Sequence, residues 1–120
     1  MSLKPVVPRA AAVGDVEAAV DYYMQEAGAR VALGFIDRLE TAYGAISRQP
    51  AAGSPRYSHE LALPGLRSWK LRGYPYLIFY VERADVIDVW RVLHAQGDVA
   101  AWMSREQARP FPRSSRLSPG

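Results

Sequence analysis

The sequence predicts a single α+β domain in which a helical hairpin packs on a small antiparallel sheet. Three observations lead to this prediction. Residues 15 to 48 repeat apolar side chains at helical spacing, residues 66 to 93 hold three strand-like runs separated by short turns, and an extended segment precedes both. Because a helix pair and a sheet each have an apolar face to bury, they form a domain by covering each other.

The first element is a short strand at an edge of the sheet. Lys4 to Ala10 is extended because Val6 and Val7 are β-branched, and Pro5 and Pro8 fit only an edge strand or its ends. The strand must therefore join the sheet at one side.

Two helices follow Gly14. Asp15, Glu17 and Asp21 are expected in the first turns of the first helix, where acids suit the helix dipole. Gly28 caps this helix and a second one begins at once, so the two run antiparallel. The apolar stripes expected to face the sheet are Val16, Ala19, Val20, Tyr23 and Ala27, followed by Ala32, Phe35, Ile36, Leu39, Tyr43 and Ile46.

Gln49-Pro50 ends the second helix, and an irregular connection leads to three strands joined as a meander. The strands are Leu66 to Arg72, Tyr76 to Val81 and Val86 to Leu93. The third is apolar on both faces, as a covered central strand is, with Ile87, Val89 and Leu93 on one face and Val86, Trp90 and Val92 on the other. A short helix then starts at Gly97-Asp98 and returns Trp102 and Met103 to the core.

Residues 1 to 103 form the predicted domain, and residues 104 to 120 form a basic tail expected to be disordered. The net charge is +3, and the tail's four arginines and one glutamate account for all of it (4 − 1 = +3). The remaining domain is balanced, so its positive charge is only local and modest in size.

Composition excludes several classes of protein. There is no cysteine and there are two histidines, so we expect no disulfide, no metal site and no cofactor. No apolar stretch approaches a membrane span and no secretory pattern opens the chain, which predicts a cytoplasmic protein.

Ordered motifs run across residues 4 to 103. The second half carries Gly65-Leu66-Arg67, then Tyr76-Leu77-Ile78-Phe79-Tyr80, then Arg91-Val92-Leu93-His94, with Asp98 and Trp102-Met103 after them. The first half carries Asp15 to Tyr23 and Phe35 to Leu39. This ordered set resembles the ParE branch of the ParE/RelE superfamily of bacterial toxins, and the two first-half segments resemble the family's two helices. The resemblance implies a RelE/ParE-like fold and the toxin of a type II toxin–antitoxin pair, whereas the 17-residue tail has no counterpart in the family pattern.

Two toxin activities occur on this fold, and the resemblance does not choose between them. The ParE-like branch is described as poisoning DNA gyrase by binding it, which requires a surface and no catalytic group. The RelE-like branch cleaves messenger RNA on the ribosome, which requires a base, cations for the phosphorane-like charge and a proton donor. In both branches a partner antitoxin is implied, here of the ParD type, with a disordered segment that folds onto the toxin.

The candidate catalytic residues for the RNase alternative lie on the first and last meander strands. They are Lys70, Arg72, Arg91 and His94. A regular strand would place Arg91 and His94 on opposite faces, so the four cannot all converge. Two of them also have a structural interpretation, in which Arg91 pairs with an acid and His94 bonds the backbone where the last strand turns into the last helix.

The candidate residues for binding the target or the antitoxin are Arg67, Tyr22, Met24, Tyr74, Tyr76 and Tyr80. Arg67 could equally pair with an acid or pack its stem. The three later tyrosines share a strand face and could stack on bases, although packing in the core is the favoured interpretation.

The balanced charge of the domain favours gyrase inhibition, because affinity for RNA comes largely from neutralising phosphates. Three hypotheses remain: a gyrase inhibitor neutralised by an antitoxin, a ribosome-dependent RNase, and a toxin-derived corepressor that is no longer toxic.

Overall fold

A computed structural model describes residues 3 to 108 and confirms the α+β architecture. The strands are β1 (Val6–Pro8), β2 (Leu66–Lys70), β3 (Tyr76–Glu82) and β4 (Ile87–His94). The helices are α1 (Ala10–Glu26), α2 (Ala29–Arg48), α3 (Arg56–Glu60) and α4 (Asp98–Ala108), and a 3-10 turn spans Pro50–Ala52. Within the described part of the chain, no helix is both long and apolar enough to cross a membrane.

The four strands form one sheet in the order β1-β4-β3-β2. Strands β2, β3 and β4 are antiparallel neighbours, which confirms the predicted meander. Strand β1 lies at the edge as predicted and pairs in parallel with β4, where Val6 is opposite Ile87. The sheet is therefore mixed, and β4 is one of its central strands.

Helix α1 begins earlier than the sequence predicted. Arg9 is the last extended residue, with φ −71° and ψ 162°, and Ala10 starts the helix. No acid lies in its first turn, so the prediction that Asp15, Glu17 and Asp21 interact with the helix dipole there is wrong. Ala10, Ala11 and Ala12 favour helix strongly enough to extend it past Gly14, which costs about 1 kcal/mol inside a helix.

The turn between α1 and α2 depends on Gly28. Its φ is +94°, a region that side chains disfavour. The backbone N–H groups of Ala27 and Gly28 both donate to the Tyr23 carbonyl, at 2.8 and 2.9 Å. The chain thus reverses within two residues and forms the predicted helical hairpin.

The hairpin covers one face of the sheet, and α3 and α4 cover the other. On the hairpin face Phe35, Leu39 and Ile46 pack against β3 and β4, and Val16, Val20 and Tyr23 pack at the margin, as predicted. On the opposite face the buried residues are Leu61, Leu66, Phe79, Val81, Leu93, Val99 and Trp102. The predicted return of Trp102 and Met103 to the core is confirmed.

A β-bulge in β4 changes the predicted alternation. Phe79 is opposite Arg91 and Tyr80 is opposite Val89, so Trp90 is the extra residue. Beyond it Val92 joins the hairpin face and Leu93 joins the opposite face. The predicted grouping of Leu93 with Ile87 and Val89, and of Val92 with Trp90, is therefore wrong.

Helix α4 continues to Ala108, so residues 104 to 108 are helical and do not belong to the predicted disordered tail. The rest of that predicted tail, residues 109 to 120, lies outside the described residues.

Candidate functional site

The tip of the helical hairpin exposes large apolar side chains. Tyr22 is 57% exposed, Met24 49% and Leu33 64%. Tyr22 packs edge-on against Tyr23, with ring centroids 5.3 Å apart, and Tyr23 in turn contacts Phe35. Tyr22 and Met24 were predicted contact residues and their exposure suits that role. Leu33 was missed because it falls outside the periodic apolar stripe of α2. A large apolar residue on the polar face of a helix was the signal that could have pointed to it.

Beside Tyr22 a groove of about 390 Å³ runs between α1 and the end of the sheet. Its walls are Asp15, Ala18, Ala19, Tyr22, Tyr76, Val92, His94 and Asp98. Two carboxylates, Asp15 and Asp98, thus share the groove with His94.

Arg91 is held by Asp15 in a two-point ion pair. Its Nε and one terminal nitrogen each donate to a carboxylate oxygen of Asp15 at 2.8 Å. Asp15 also accepts the backbone N–H of Val92 at 2.9 Å. The hydrogen bonds from Arg91 to Asp15 raise the pKa of the Arg91 guanidinium above its ordinary value, and the contacts of Asp15 together join α1 to β4. The structural interpretation, in which Arg91 pairs with an acid, is confirmed.

His94 bonds the backbone just beyond β4. Its Nδ1 accepts the N–H of Gln96 at 3.3 Å, and its ring stands edge-on to Tyr76 with centroids 5.3 Å apart. This is the backbone contact that the structural interpretation of His94 predicted. His94 lines the groove beside Tyr22, whereas Arg91 lines one beside α4, so the two side chains open to different grooves.

Lys70 and Arg72 lie elsewhere, between α2 and the outer strand β2. They are exposed and line a groove of about 160 Å³, which we call the basic groove, with Arg38, Thr41, Ala42, Ala45 and Trp69. The four candidate catalytic residues therefore lie in three different grooves, and none of these grooves contains all four.

Among the described residues, no group of three or more histidines, aspartates or glutamates is placed to hold a metal ion.

The sequence model for the ParE toxin of type II toxin–antitoxin systems, parDE, matches residues 6–99. The chain belongs to the ParE toxin family.

Among matching solved structures is the chromosomal ParDE toxin–antitoxin system from P. aeruginosa. The match covers 78% of this chain and 98% of that one, with a TM-score of 0.66 and 19% sequence identity. At this identity the likeness concerns the fold alone, and it agrees with the RelE/ParE-like fold predicted from the sequence. None of the curated proteins matches the chain.

In this ParE-family chain, Arg67 supports a loop. Its guanidinium donates to the carbonyl of Gly53 at 2.7 Å and is part-buried. The same loop holds the ring of Tyr80, whose hydroxyl donates to the Pro50 carbonyl at 2.6 Å. The ring passes so close to Gly53 that a Cβ there would overlap the hydroxyl. At least one terminal nitrogen of Arg67 therefore has a structural role, because it holds the loop at Gly53.

The tyrosines proposed as a stacking platform for bases are core residues in this fold. Tyr80 is fully buried and Tyr76 is 8% exposed. Tyr74 is half-buried between the hairpin and the sheet, and its hydroxyl donates to the Val31 carbonyl at 2.8 Å. Their packing agrees with the core role favoured from the sequence and leaves the rings of Tyr76 and Tyr80 little exposed surface for stacking on bases.

Sequence reasoning also missed a polar cluster around Asp88, on β4 beside the edge strand. Asp88 accepts hydrogen bonds from Arg9, Arg83 and Trp90 at 2.9 to 3.2 Å. The Arg9 guanidinium also lies 4.4 Å above the Trp90 ring. The bonds from Arg9, supported by those from Trp90 and Arg83, lower the pKa of the Asp88 carboxyl. This cluster fastens β1 and the start of α1 to β4.

Proposed function

We propose that this ParE-family chain is a toxin that inhibits DNA gyrase by binding it, and that a ParD-like antitoxin neutralises it. Such a toxin acts in the cytoplasm, where its target is found. The proposal requires an exposed surface and no catalytic centre.

The observation that carries the proposal is the internal neutralisation of Arg91. An RNase needs cations free to stabilise charge on the scissile phosphate. Here Asp15 occupies the guanidinium of Arg91 at two points, and His94 shares its groove with Asp15 and Asp98. Bringing a phosphate to Arg91 would require breaking that pair, and a phosphate at His94 would share the groove with Asp98.

The second candidate is a ribosome-dependent mRNA endoribonuclease of the RelE type. The observation in its favour is that Lys70 and Arg72 are exposed and, among the described residues, make no ion pair. They remain available to a polyanion.

The two candidates are separated by parallel assays of the purified chain without antitoxin. One measures gyrase supercoiling and trapped gyrase–DNA cleavage complexes, and the other measures mRNA cleavage on translating ribosomes. We expect trapped gyrase complexes and intact mRNA. Ribosome-dependent cuts that disappear in His94→Ala, while the variant keeps its fold by circular dichroism, would instead establish the RNase. Silence in both assays, together with harmless overexpression, would favour a corepressor that has lost its toxicity.

For the antitoxin half of the proposal, the exposed hairpin tip is the expected contact. Tyr22→Asp places a charge on the exposed hairpin tip and leaves the fully buried core residues in place, because Tyr22 is 57% exposed. We expect the dissociation constant of the ParD-like antitoxin to rise at least tenfold, as measured by isothermal titration calorimetry. Unchanged affinity in a folded variant would remove Tyr22 from the interface.

A further inference from the structure

The basic groove brings together three cations from two elements that are distant in the sequence. Arg38 comes from α2, and Lys70 and Arg72 come from the end of β2 and the residues after it. Among residues 3 to 108, none of the three makes an ion pair, and no carboxylate lines the groove. Because like charges repel, this arrangement is stabilised when an anion binds.

The groove also borders an open edge of the sheet. β2 is the outermost strand, and part of its outer side is occupied within the described residues. Ser68 uses both its N–H and its carbonyl in a β-bridge with Ser54, each at 2.9 Å, and the N–H of Leu66 donates to the Leu63 carbonyl at 3.1 Å. In an antiparallel pair, outward-pointing residues alternate, so the backbone groups of Lys70, two positions after Ser68, also point away from β3. The N–H and carbonyl of Lys70 are the part of this edge with which an added strand can pair.

The floor of the groove is apolar. Trp69 is half-buried against the hairpin core, and Ala42 and Ala45 on α2 leave room beside it. A ligand must therefore offer an apolar side chain between anionic groups, and a backbone able to pair with the strand edge.

We propose that the basic groove binds an extended, acidic segment of the antitoxin, which adds to the outer edge of β2 and places an apolar side chain on Trp69. This inference rests on the proposed function, because it presupposes an antitoxin. It adds a second anchor, on a different part of the molecule from the hairpin tip. The segment's carboxylates pair with Arg38, Lys70 and Arg72.

A peptide fits these features better than a nucleic acid does. The volume, about 160 Å³, suits one or two side chains of a single chain. Strand addition satisfies the open backbone groups of β2, and a phosphodiester backbone has no N–H donors with which to do so. Binding to a nucleic acid also requires an extended run of phosphate contacts, whereas the cations here are three and clustered.

The test measures binding of a purified, full-length ParD-like antitoxin to the full chain. The double variant Lys70→Glu/Arg72→Glu reverses two exposed charges, so the core is left intact. Its matched control is Arg56→Glu/Arg105→Glu, which makes the same change of charge on α3 and α4, on the opposite face of the sheet. Dissociation constants are measured at low and high salt, with a 12-nucleotide single-stranded DNA as a second probe.

We expect the groove variant to bind the antitoxin about tenfold or more weakly at low salt, and the control to change little. The affinity of the wild type should fall with added salt, and this fall should be smaller in the groove variant. Equal losses in both variants, or no loss in the groove variant, would overturn the inference and leave the proposed function standing. If the groove variant loses affinity for the single-stranded DNA while its affinity for the antitoxin is unchanged, the groove binds a nucleic acid and the inferred peptide ligand is wrong. If the wild-type chain does not bind the antitoxin at all, the antitoxin half of the proposed function fails, and this inference fails with it.

Discussion

Replacing either member of the Asp15–Arg91 pair tests whether Arg91 is structural. Asp15 is 13% exposed and Arg91 23%, so water compensates only partly for a lost partner. A hydrogen bond to a charged group contributes about 1.5–3 kcal/mol, and breaking a fully buried pair costs about 3–5 kcal/mol. For this partly exposed pair we expect Asp15→Ala to lower the free energy of unfolding by about 2 kcal/mol. The loss has two sources, because Val92 also loses the acceptor of its N–H.

Urea denaturation of the purified chain measures this loss, and a double-mutant cycle assigns it. If the pair acts as a unit, Asp15→Ala/Arg91→Ala is less destabilised than the sum of the two single variants, by about 1 kcal/mol or more. Arg30→Ala removes the same charge from an exposed position on α2 and should shift stability by no more than about 0.5 kcal/mol. Losses that simply add would refute the coupling. Folded Arg91→Ala protein that has lost its toxic activity would refute the structural role.

Three further predictions concern stability. Gly53→Ala should lower the free energy of unfolding by about 1–3 kcal/mol, because its Cβ overlaps the Tyr80 hydroxyl, whereas Gly14→Ala has open space on a helix and should raise it by about 0.5–1 kcal/mol; urea midpoints measure both. Arg9 lowers the pKa of the Asp88 carboxyl, so the contribution of Asp88 to the free energy of unfolding is present above the unfolded pKa, about 3.9, and is lost as the pH falls through the lower folded pKa. In the Asp88→Asn variant the free energy of unfolding should therefore fall less steeply at acid pH. Burial, aided by Asp15, raises the pKa of Tyr43 to about 12. The contribution of Tyr43 to the free energy of unfolding is therefore present below the unfolded pKa, about 10, and is lost as the pH rises through the folded pKa, about 12. Tyr43→Phe should therefore weaken alkaline destabilisation in the same measurement.

The order of elements could be predicted because each depends on local patterns. The apolar spacing in Phe35 to Ile46 defines one helix face, and the short turns between β2, β3 and β4 leave an antiparallel meander as the simple connection. Gly28 marked the reversal between the helices, and its positive φ explains why a glycine stands there. These features need no information about distant residues.

The bulge at Trp90 could not be predicted in this way. Strand alternation assumes a regular ladder, and an extra residue inverts the face of everything that follows. Arg91 in an apolar run was the visible anomaly. The prediction that Arg91 and His94 lie on opposite faces of the strand nevertheless holds, because both residues follow the bulge and the strand alternates regularly from there.

The contacts that define the site depend on pairs far apart in the chain. Arg9 and Asp88 are separated by 79 positions and Asp15 and Arg91 by 76, so no spacing rule connects them. Arg38 looked like an ordinary exposed residue on the polar face of α2. Only the docking of that helix on the sheet places it beside Lys70 and Arg72.

The position of acids bears on which of the two candidate activities this chain can perform. A nuclease needs cations whose charge is not compensated before the substrate arrives, since preorganised charge is what stabilises the transition state. In this chain the cation on the central strand, Arg91, is compensated by Asp15 on the helix above it. Arg38, Lys70 and Arg72, which make no ion pair among the described residues, stand at the outer edge, away from His94. A cation with no acid partner in its own chain is available to an anionic group of another molecule. The basic groove beside β2 is therefore suited to binding a partner, whereas the Asp15–Arg91 pair stabilises the fold. Asp15 is therefore the residue whose removal should move this chain towards polyanion binding. In folded Asp15→Ala protein, Arg91 would gain affinity for a phosphate, and titration with single-stranded RNA at low salt measures that gain.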